Sequence, residues 1–203
     1  MRSTLKKLNK AWVNYVVIRN YEFLNNNGKA TELDMAIDKR DVVKVINLLK
    51  KGGYKKRHWN FSEKHTMWEK DGFVFDIQVG GIYWNDMPYL DNSIFWLREK
   101  NNFFYTLCDE HMFVMYICHS ILGKRYLKYE KEIAQLMEKR LEWSLINKYL
   151  YKAFGKKYTD EIISSIKDGT FKYKLKYSIR FVLNYPFKFI KNSLRWVVWR
   201  LTL

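Results

Sequence analysis

The sequence has few of the residues that build disulfide scaffolds, zinc sites and disordered segments. Its 203 residues include only two cysteines and two prolines. Cys108 and Cys118 lie in an apolar run without CxxC or Cys/His ligand spacing, which excludes a disulfide framework and indicates a reducing compartment. Because 48% of the residues are hydrophobic, the chain has enough apolar surface to bury a core, and we expect it to fold.

Long hydrophobic runs and several common enzyme motifs are also missing. The apolar stretch from Ala11 to Ile18 is interrupted by Asn14 and followed by Arg19, which is unlike a signal peptide. No window reaches the roughly 18 uncharged apolar residues that a spanning helix needs. We therefore expect a cytoplasmic protein that is neither secreted nor integral to a membrane. No P-loop, dinucleotide-binding glycine fingerprint, HExxH or GxSxG motif supports the enzyme classes that these motifs mark.

Positive charge, in contrast, is abundant. The chain has 37 lysines and arginines against 21 acidic residues, which gives a net charge of +16. Such an excess favours a partner that carries phosphates, namely a nucleotide, a nucleic acid or an anionic lipid, although a coding bias towards lysine would also produce it. Residues 170–203 contain eight cations and no acid, so this segment holds half of the net charge.

Hydrophobic periodicity predicts an α+β protein. In the first 80 residues it predicts helices over 3–11 and 39–51 and strands over 15–18, 32–37, 54–61, 65–69 and 73–79. Asp38 is predicted to cap the second helix, Gly52-Gly53 to end it, and Asp71-Gly72 to form a hairpin turn. Because hairpins and a β-α unit occur together, we expect a mixed sheet with flanking helices.

The second half is predicted to be helical. A loop around Pro88 precedes apolar stretches with helical spacing over about 92–99, 108–123, 127–139, 141–153 and 159–167. We therefore divide the chain into an α/β core over residues 1–90, a helical region packed on it over 91–169, and a basic amphipathic tail over 170–203.

Two acidic residues share one face of the predicted strand over 32–37. Side chains two residues apart project to the same side of a strand, so Glu32 and Asp34 lie together while Leu33 and Met35 face the core. Their repulsion raises a pKa unless a cation joins them. Mg²⁺, or Mn²⁺, suits such oxygen ligands. The alternative is a solvated strand face with ordinary surface acids.

The strand over 73–79 repeats this pattern, with Asp76 and Gln78 on one face and apolar residues on the other. If the two strands are neighbours, Glu32, Asp34 and Asp76 form a metal site. Three carboxylates near basic residues are what metal-dependent phosphoryl or nucleotidyl transfer needs.

Several segments together resemble the DNA polymerase beta-type nucleotidyltransferase superfamily, in its uncharacterised bacterial and archaeal branch. The resemblance is carried by Val16–Glu22, Glu32–Met35, Leu48–Tyr54, Phe75–Gly80 and Cys118–Lys124. It implies a nucleotidyltransferase-like core in which Glu32, Asp34 and Asp76 bind Mg²⁺. It also implies that Asp34 and Asp76 are catalytic, with Asp76 a candidate base for the acceptor hydroxyl.

One position departs from the superfamily. A Gly-Gly or Gly-Ser turn usually precedes the acidic pair, whereas this chain has Arg19-Asn20. A guanidinium grips phosphate through parallel hydrogen bonds, so Arg19, with Asn20 and Lys29, is predicted to bind the donor. The main hypothesis is transfer of a nucleotidyl group from a nucleoside triphosphate to an acceptor hydroxyl, the acceptor being a glycan in one version. The alternatives are a metal-dependent phospho-sugar or glycosyl transferase with a diphosphate donor, making surface polysaccharide or lipid-linked glycan, and an inactive scaffold on membrane or RNA.

The tail and the histidines complete the predictions. After Pro186, apolar residues including Phe187, Ile190 and Leu194 form a helical stripe beside cations, which is typical of a helix lying on an anionic membrane. We therefore expect a peripheral location on the inner face of the cell membrane; the alternatives are a packed final helix and nucleic-acid binding. His119 is interpreted as a packed histidine, and His58 and His65 as residues on strand surfaces.

Overall fold

The computed structural model describes residues 1–19, 21, 24, 30–57 and 64–201, with side chains as far as Arg195. Within these ranges the α-helices are α1 (Arg2–Lys10), α2 (Val42–Lys51), α3 (Asp109–His119), α4 (Glu130–Met137), α5 (Trp143–Phe154), α6 (Lys156–Lys167), α7 (Leu175–Leu183) and α8 (Pro186–Leu201). The strands are β1 (Tyr15–Arg19), β2 (Glu32–Ile37), β3 (Lys55–Lys56), β4 (His65–Lys70), β5 (Phe73–Val79), β6 (Ile82–Trp84), β7 (Met87–Leu90), β8 (Glu99–Asn101) and β9 (Phe104–Thr106). The predicted α+β class is confirmed.

Seven strands form one mixed sheet in the order β3-β4-β5-β2-β1-β9-β8, and β6 and β7 form a separate hairpin. The pairs β2–β5 and β1–β9 are parallel, whereas β1–β2, β4–β5, β3–β4 and β8–β9 are antiparallel. The two predicted acidic strands are therefore direct neighbours at the centre of the sheet.

One face of the sheet, which we call the packed face, is covered by α1 and α2. Alternate residues of β2, namely Leu33, Met35 and Ile37, pack there against Leu8 of α1 and Leu49 of α2. The helical spacing of the apolar residues in α1 and α2 turns one stripe of each helix towards the strands. This face contributes a buried apolar cluster to the core.

The opposite face, which we call the site face, meets the helical half of the chain. Val16, Ile18 and Ala36 pack there in a second cluster with α3, α5 and α6. In α3 every residue from His111 to Cys118 is buried, so this helix is the centre of the second core. The helical half thus lies against the same side of the sheet as Asp34.

Local signals explain the ends of several elements. The carboxylate of Asp38 accepts a hydrogen bond from the backbone N–H of Arg40 at 2.9 Å, which confirms it as a cap. It caps a 3₁₀ turn, Lys39–Asp41, and α2 begins only at Val42. The two-residue turn Asp71-Gly72 has positive φ at both positions, as a tight hairpin requires.

Among the described residues, two predicted elements are wrong and a third is confirmed only in part. The expected helix over 92–99 is a 3₁₀ turn, Asn92–Phe95, followed by β8, and the expected loop around Pro88 is strand β7. The expected strand over 54–61 is only Lys55–Lys56, and residues 58–61 lie outside the described residues. Because β9 pairs with β1, a strand pair from the region predicted to be helical belongs to the main sheet.

The tail consists of two helices. Tyr177 and Phe181 of α7 are buried in the core of the helical half, whereas the side chains of α8 as far as Arg195 are exposed or half-buried. No helix among the described residues combines the length and the hydropathy needed to cross a bilayer.

Candidate functional site

Parallel pairing of β2 and β5 brings the three predicted carboxylates together. Asp34 lies opposite Asp76 in the register, and Glu32 lies two residues before Asp34 on the same face. Each of the three residues offers a carboxylate oxygen within 4.8 Å of the others. The expectation that Asp76 neighbours the acidic pair is thus confirmed, and the metal-binding role of the three residues stays a prediction.

The cluster lies in a partly dry environment that disfavours negative charge. Asp34 is only 3% exposed, and the side chain of Asp76 is 13% exposed. Burial, together with repulsion from Asp34 and Glu32, raises the pKa of Asp76 to about 8. Asp76 therefore keeps its proton at neutral pH unless a cation joins the cluster.

Arg19 provides a positive charge beside Asp34. Its Nε donates to one carboxylate oxygen of Asp34 at 2.7 Å, and its Nη2 donates to the other at 3.1 Å. Burial disfavours the charged guanidinium, but the bonds to Asp34 outweigh this and raise the pKa of Arg19. The two parallel bonds fix the geometry of the pair.

A β-bulge explains how Arg19 reaches the site face. Strict alternation along β1 would put Arg19 on the packed face with Tyr15 and Val17. The register with β2 shifts between Val17 and Arg19, so Arg19 lies opposite Asp34 and on its face. Bulges of this kind re-aim a side chain, and no residue type in β1 predicts one here.

Two residues of the helical half hold Arg19 from the other side. Its Nη1 donates to Nε2 of His119 at 2.7 Å and lies 3.4 Å from the hydroxyl of Tyr129. Burial and the nearby Arg19 lower the pKa of His119 to about 3, so its imidazole is neutral and accepts this bond. The interpretation of His119 as a merely packed residue is therefore incomplete, since it contacts a charged group of the site.

His65 also belongs to the cluster, contrary to its interpretation as a strand-surface residue. Its Nε2 hydrogen-bonds Oδ1 of Asp76, and burial lowers the pKa of His65. The sequence contained a usable signal, because the turn Asp71-Gly72 fixes the β4–β5 register and puts His65 opposite Gln78, on the face of Asp76. His58 lies outside the described residues.

These groups open into a cleft of about 780 Å³. Strands β1, β2, β4 and β5 contribute Arg19, Asp34, His65, Asp76 and Gln78, and Lys64 lies just before β4. Such a volume suits a small organic ligand. Of the predicted donor-binding residues, Arg19 lines the cleft, whereas Asn20 and Lys29 lie outside the described residues.

The tail forms part of the cleft wall, which the sequence did not predict. Phe189, Asn192 and Ser193 of α8 line the cleft together with the β6–β7 hairpin. The side-chain amide of Asn192 donates to the carbonyl oxygen of Asn85 at 2.5 Å, which fastens α8 to the hairpin turn.

Comparison with known proteins adds no assignment. No family model matches this chain, and no curated protein matches it either. The chemistry of the site must therefore be argued from its own residues.

Proposed function

We propose that this chain is a Mg²⁺-dependent nucleotidyltransferase that moves a nucleotidyl group from a nucleoside triphosphate to an acceptor hydroxyl. The observation that carries the proposal is the group of three carboxylates, Glu32, Asp34 and Asp76, on two parallel strands. Asp34 and Asp76 line a cleft that also contains Arg19 and Lys64, two cations suited to phosphate.

The donor set fits a hard divalent cation. All three groups are carboxylates, and oxygen ligands are those that Mg²⁺ and Mn²⁺ prefer. The raised pKa of Asp76 supports the fit, because it reports negative charge in need of compensation. When bound, the ion would neutralise phosphate charge and lower the pKa of the acceptor hydroxyl.

The chain's own groups have distinct parts in this reaction. Asp76, once ionised, accepts the proton of the acceptor hydroxyl, whose oxygen bonds to the α-phosphorus while the bond to the leaving diphosphate breaks. His65 orients Asp76 through its hydrogen bond. Arg19 is placed to grip a donor phosphate, with His119 holding its far nitrogen.

One observation favours a second candidate, transfer from another diphosphate donor to make a phospho-sugar or glycosidic bond. Arg19 stands where the resembled superfamily has a glycine turn, and both terminal oxygens of Asp34 already accept bonds from it. Such a site need not take a nucleoside triphosphate, since a nucleotide-sugar offers the same diphosphate to Arg19.

Peripheral binding to the inner face of the cell membrane completes the proposal. The tail over residues 170–203 carries eight cations and no acid. Leu183, Phe187, Ile190 and Leu194 are exposed apolar residues within it. A helix of this kind binds an anionic surface through burial and charge together.

The first experiment is calorimetric titration with ATP, CTP, GTP and UTP, with and without Mg²⁺, on the parent and on Glu32→Gln. Glu32 is preferred to Asp34 for this variant because Asp34 is buried in an ion pair, whose loss would also weaken the fold. We expect one nucleotide to bind tightly, and only with the metal and Glu32 present.

The matched control is Glu69→Gln, which neutralises a half-buried acid on β4 that pairs with Arg57 outside the cluster and should leave binding unchanged. Metal binding without nucleotide binding would favour the nucleotide-sugar donor, which the same titration tests next. A folded parent that binds neither Mg²⁺ nor Mn²⁺ would contradict both transferases and favour a scaffold.

A further inference from the structure

The lining of the cleft changes from charged to apolar between its contributing elements. The sheet contributes most of the charged groups, including Arg19, Asp34 and Asp76. The β6–β7 hairpin, α3 and α8 contribute Ile82, Tyr83, Trp84, Tyr89, Met115 and Phe189, with Asn85, Asp86, Asn192 and Ser193 as polar members. The phosphates of a donor suit the charged part, and the apolar wall offers a surface on which a hydrocarbon chain can be buried.

Helix α8 has two different faces. Asn192 points to the hairpin turn and lines the cleft. At about 100° per residue, Phe187, Ile190 and Leu194 lie on the side opposite Asn192. They are exposed by 86, 56 and 61%. A single helix therefore separates the cleft from an exposed apolar surface.

Helix α7 also has an exposed apolar row. Leu175, Ile179 and Leu183 recur every four residues, and each is at least half exposed. No acidic residue occurs in either helix. An exposed apolar row within a wholly cationic segment is complementary to an anionic bilayer, as proposed above.

We propose that the cleft binds a membrane-borne amphiphile, whose hydroxyl head group reaches the carboxylates while its hydrocarbon chain lies along Trp84, Met115 and Phe189. The apolar wall supplies the burial that a hydrocarbon chain needs, and α8 places the bilayer one helix away. The further statement that this amphiphile is the acceptor rests on the proposed transferase function.

A local probe of the cleft wall tests the proposal. Met115 is 1% exposed and lines the cleft, so the methyl signal of ¹³C-labelled methionine reports binding there. Met115→Leu identifies the signal. The full chain is titrated with octyl β-glucoside below its micelle concentration, with hexyl β-glucoside and glucose as comparators, and without metal or nucleotide.

We expect octyl glucoside to shift the Met115 signal saturably, whereas glucose leaves it unchanged. Each buried methylene strengthens binding about fourfold, so hexyl glucoside should bind about 15-fold more weakly. An unchanged Met115 signal with octyl glucoside, or an equal effect of glucose, would overturn the proposal.

Two phenylalanines of α8 are a matched pair of variants. Phe189→Ser removes part of the cleft wall and should weaken octyl glucoside about tenfold, and Phe189→Leu should restore binding. Phe187→Ser, on the outer face, should leave this affinity unchanged. Both residues are exposed enough for the fold to persist. Equal weakening by both serine variants would mean that the hydrocarbon binds only the outer surface, which would refute the proposal.

A vesicle-binding assay on the same two serine variants should give the opposite order of effects. With vesicles of phosphatidylglycerol and phosphatidylcholine, Phe187→Ser should bind severalfold more weakly than the parent, and Phe189→Ser should bind within twofold of it. The methionine titration contains neither metal nor nucleotide. A negative result would therefore contradict amphiphile binding without contradicting the proposed transferase function. Amphiphile binding without metal binding would support the ligand and contradict its role as acceptor.

Discussion

The two faces of β2 are equally buried and chemically opposite. Leu33 on the packed face is fully buried, and Asp34, the next residue, is 3% exposed. Leu33 packs in the apolar cluster beneath α1 and α2, whereas Asp34 binds Arg19 and lies beside Asp76. The same strand therefore gives one face to stability and the other to charge.

The difference between the two faces shows that burial alone does not stabilise the folded state. Apolar burial on the packed face favours folding, whereas burial on the site face raises the pKa of Asp76 far above its usual 3.8, which is a cost of ionising the folded protein. Such a cost is retained where a ligand or a reaction uses the charge. The apolar burial on the packed face offsets this cost.

The largest expected effect is on the packed face. Leu33→Ala removes a fully buried side chain and should lower the free energy of unfolding by about 3 kcal/mol. The affinity of the folded variant for Mn²⁺ should stay unchanged, because the side chain points away from the carboxylates. Chemical denaturation and Mn²⁺ titration measure the two quantities. A large loss of affinity in the folded variant would show that the faces are not independent.

Neutralising Asp76 should raise the free energy of unfolding, whereas Leu33→Ala lowers it. The unfolded chain loses this proton near pH 3.8, whereas the folded chain keeps it to about pH 8. Between these values the folded state binds more protons, so this group makes stability fall as the pH rises. Without metal, Asp76→Asn should therefore have a clearly higher free energy of unfolding than the parent at pH 8 and nearly the same one at pH 4.

Denaturation at both pH values, with a chelator present, checks this prediction. Asp109→Asn, which neutralises a surface acid paired with Lys139, is the control and should show no such gain. An Asp76→Asn variant less stable than the parent at pH 8 would mean that the ionised carboxylate is stabilised rather than penalised.

Much of the sheet could be predicted because its signals are local. Alternation gives the faces of β2 and β5, and Asp71-Gly72 gives the β4–β5 hairpin. The shared face of Glu32 and Asp34 was therefore within reach of the sequence, and so was the place of His65 on the face of Asp76 through the hairpin register. The neighbourhood of Asp34 and Asp76 stayed a condition of the prediction, because β3 and β4 come between α2 and β5.

The rest depends on tertiary contacts that leave no local pattern. The bulge that turns Arg19 to the site face, the bond from Arg19 to His119 and the pairing of β9 with β1 all join residues distant in sequence. Short strands such as β8 are stabilised by their partners rather than by propensity. The membrane role of the tail stays a prediction, and its place at the cleft was missed because periodicity does not say what a face touches.

Removing Arg19 should change the affinity for metal, besides the loss of stability that follows from breaking its buried ion pair with Asp34. Arg19→Gln releases both oxygens of Asp34 and removes a neighbouring positive charge. We expect Mn²⁺ affinity to rise about tenfold, which is about 1.4 kcal/mol, while the affinity for nucleotide falls. Lys64→Gln, which neutralises another cation of the cleft, is the control. If the affinity for Mn²⁺ rose equally in both variants, the effect would come from the lost positive charge in general and not from the specific bonds between Arg19 and Asp34.

The smallest effect on stability is expected on the exposed row of the tail. Ile179 is half exposed, whereas Phe181, two residues later on α7, is fully buried. Ile179→Ser should change the free energy of unfolding by less than about 0.5 kcal/mol and weaken binding to anionic vesicles, because it removes apolar surface from the outer row. Phe181→Ser should unfold the helical half more easily by about 3 kcal/mol. If Ile179→Ser destabilised the fold as strongly as Phe181→Ser, the exposed row of α7 would stabilise the fold by packing, like the packed face of the sheet. Such a result would contradict a role of this row in membrane binding.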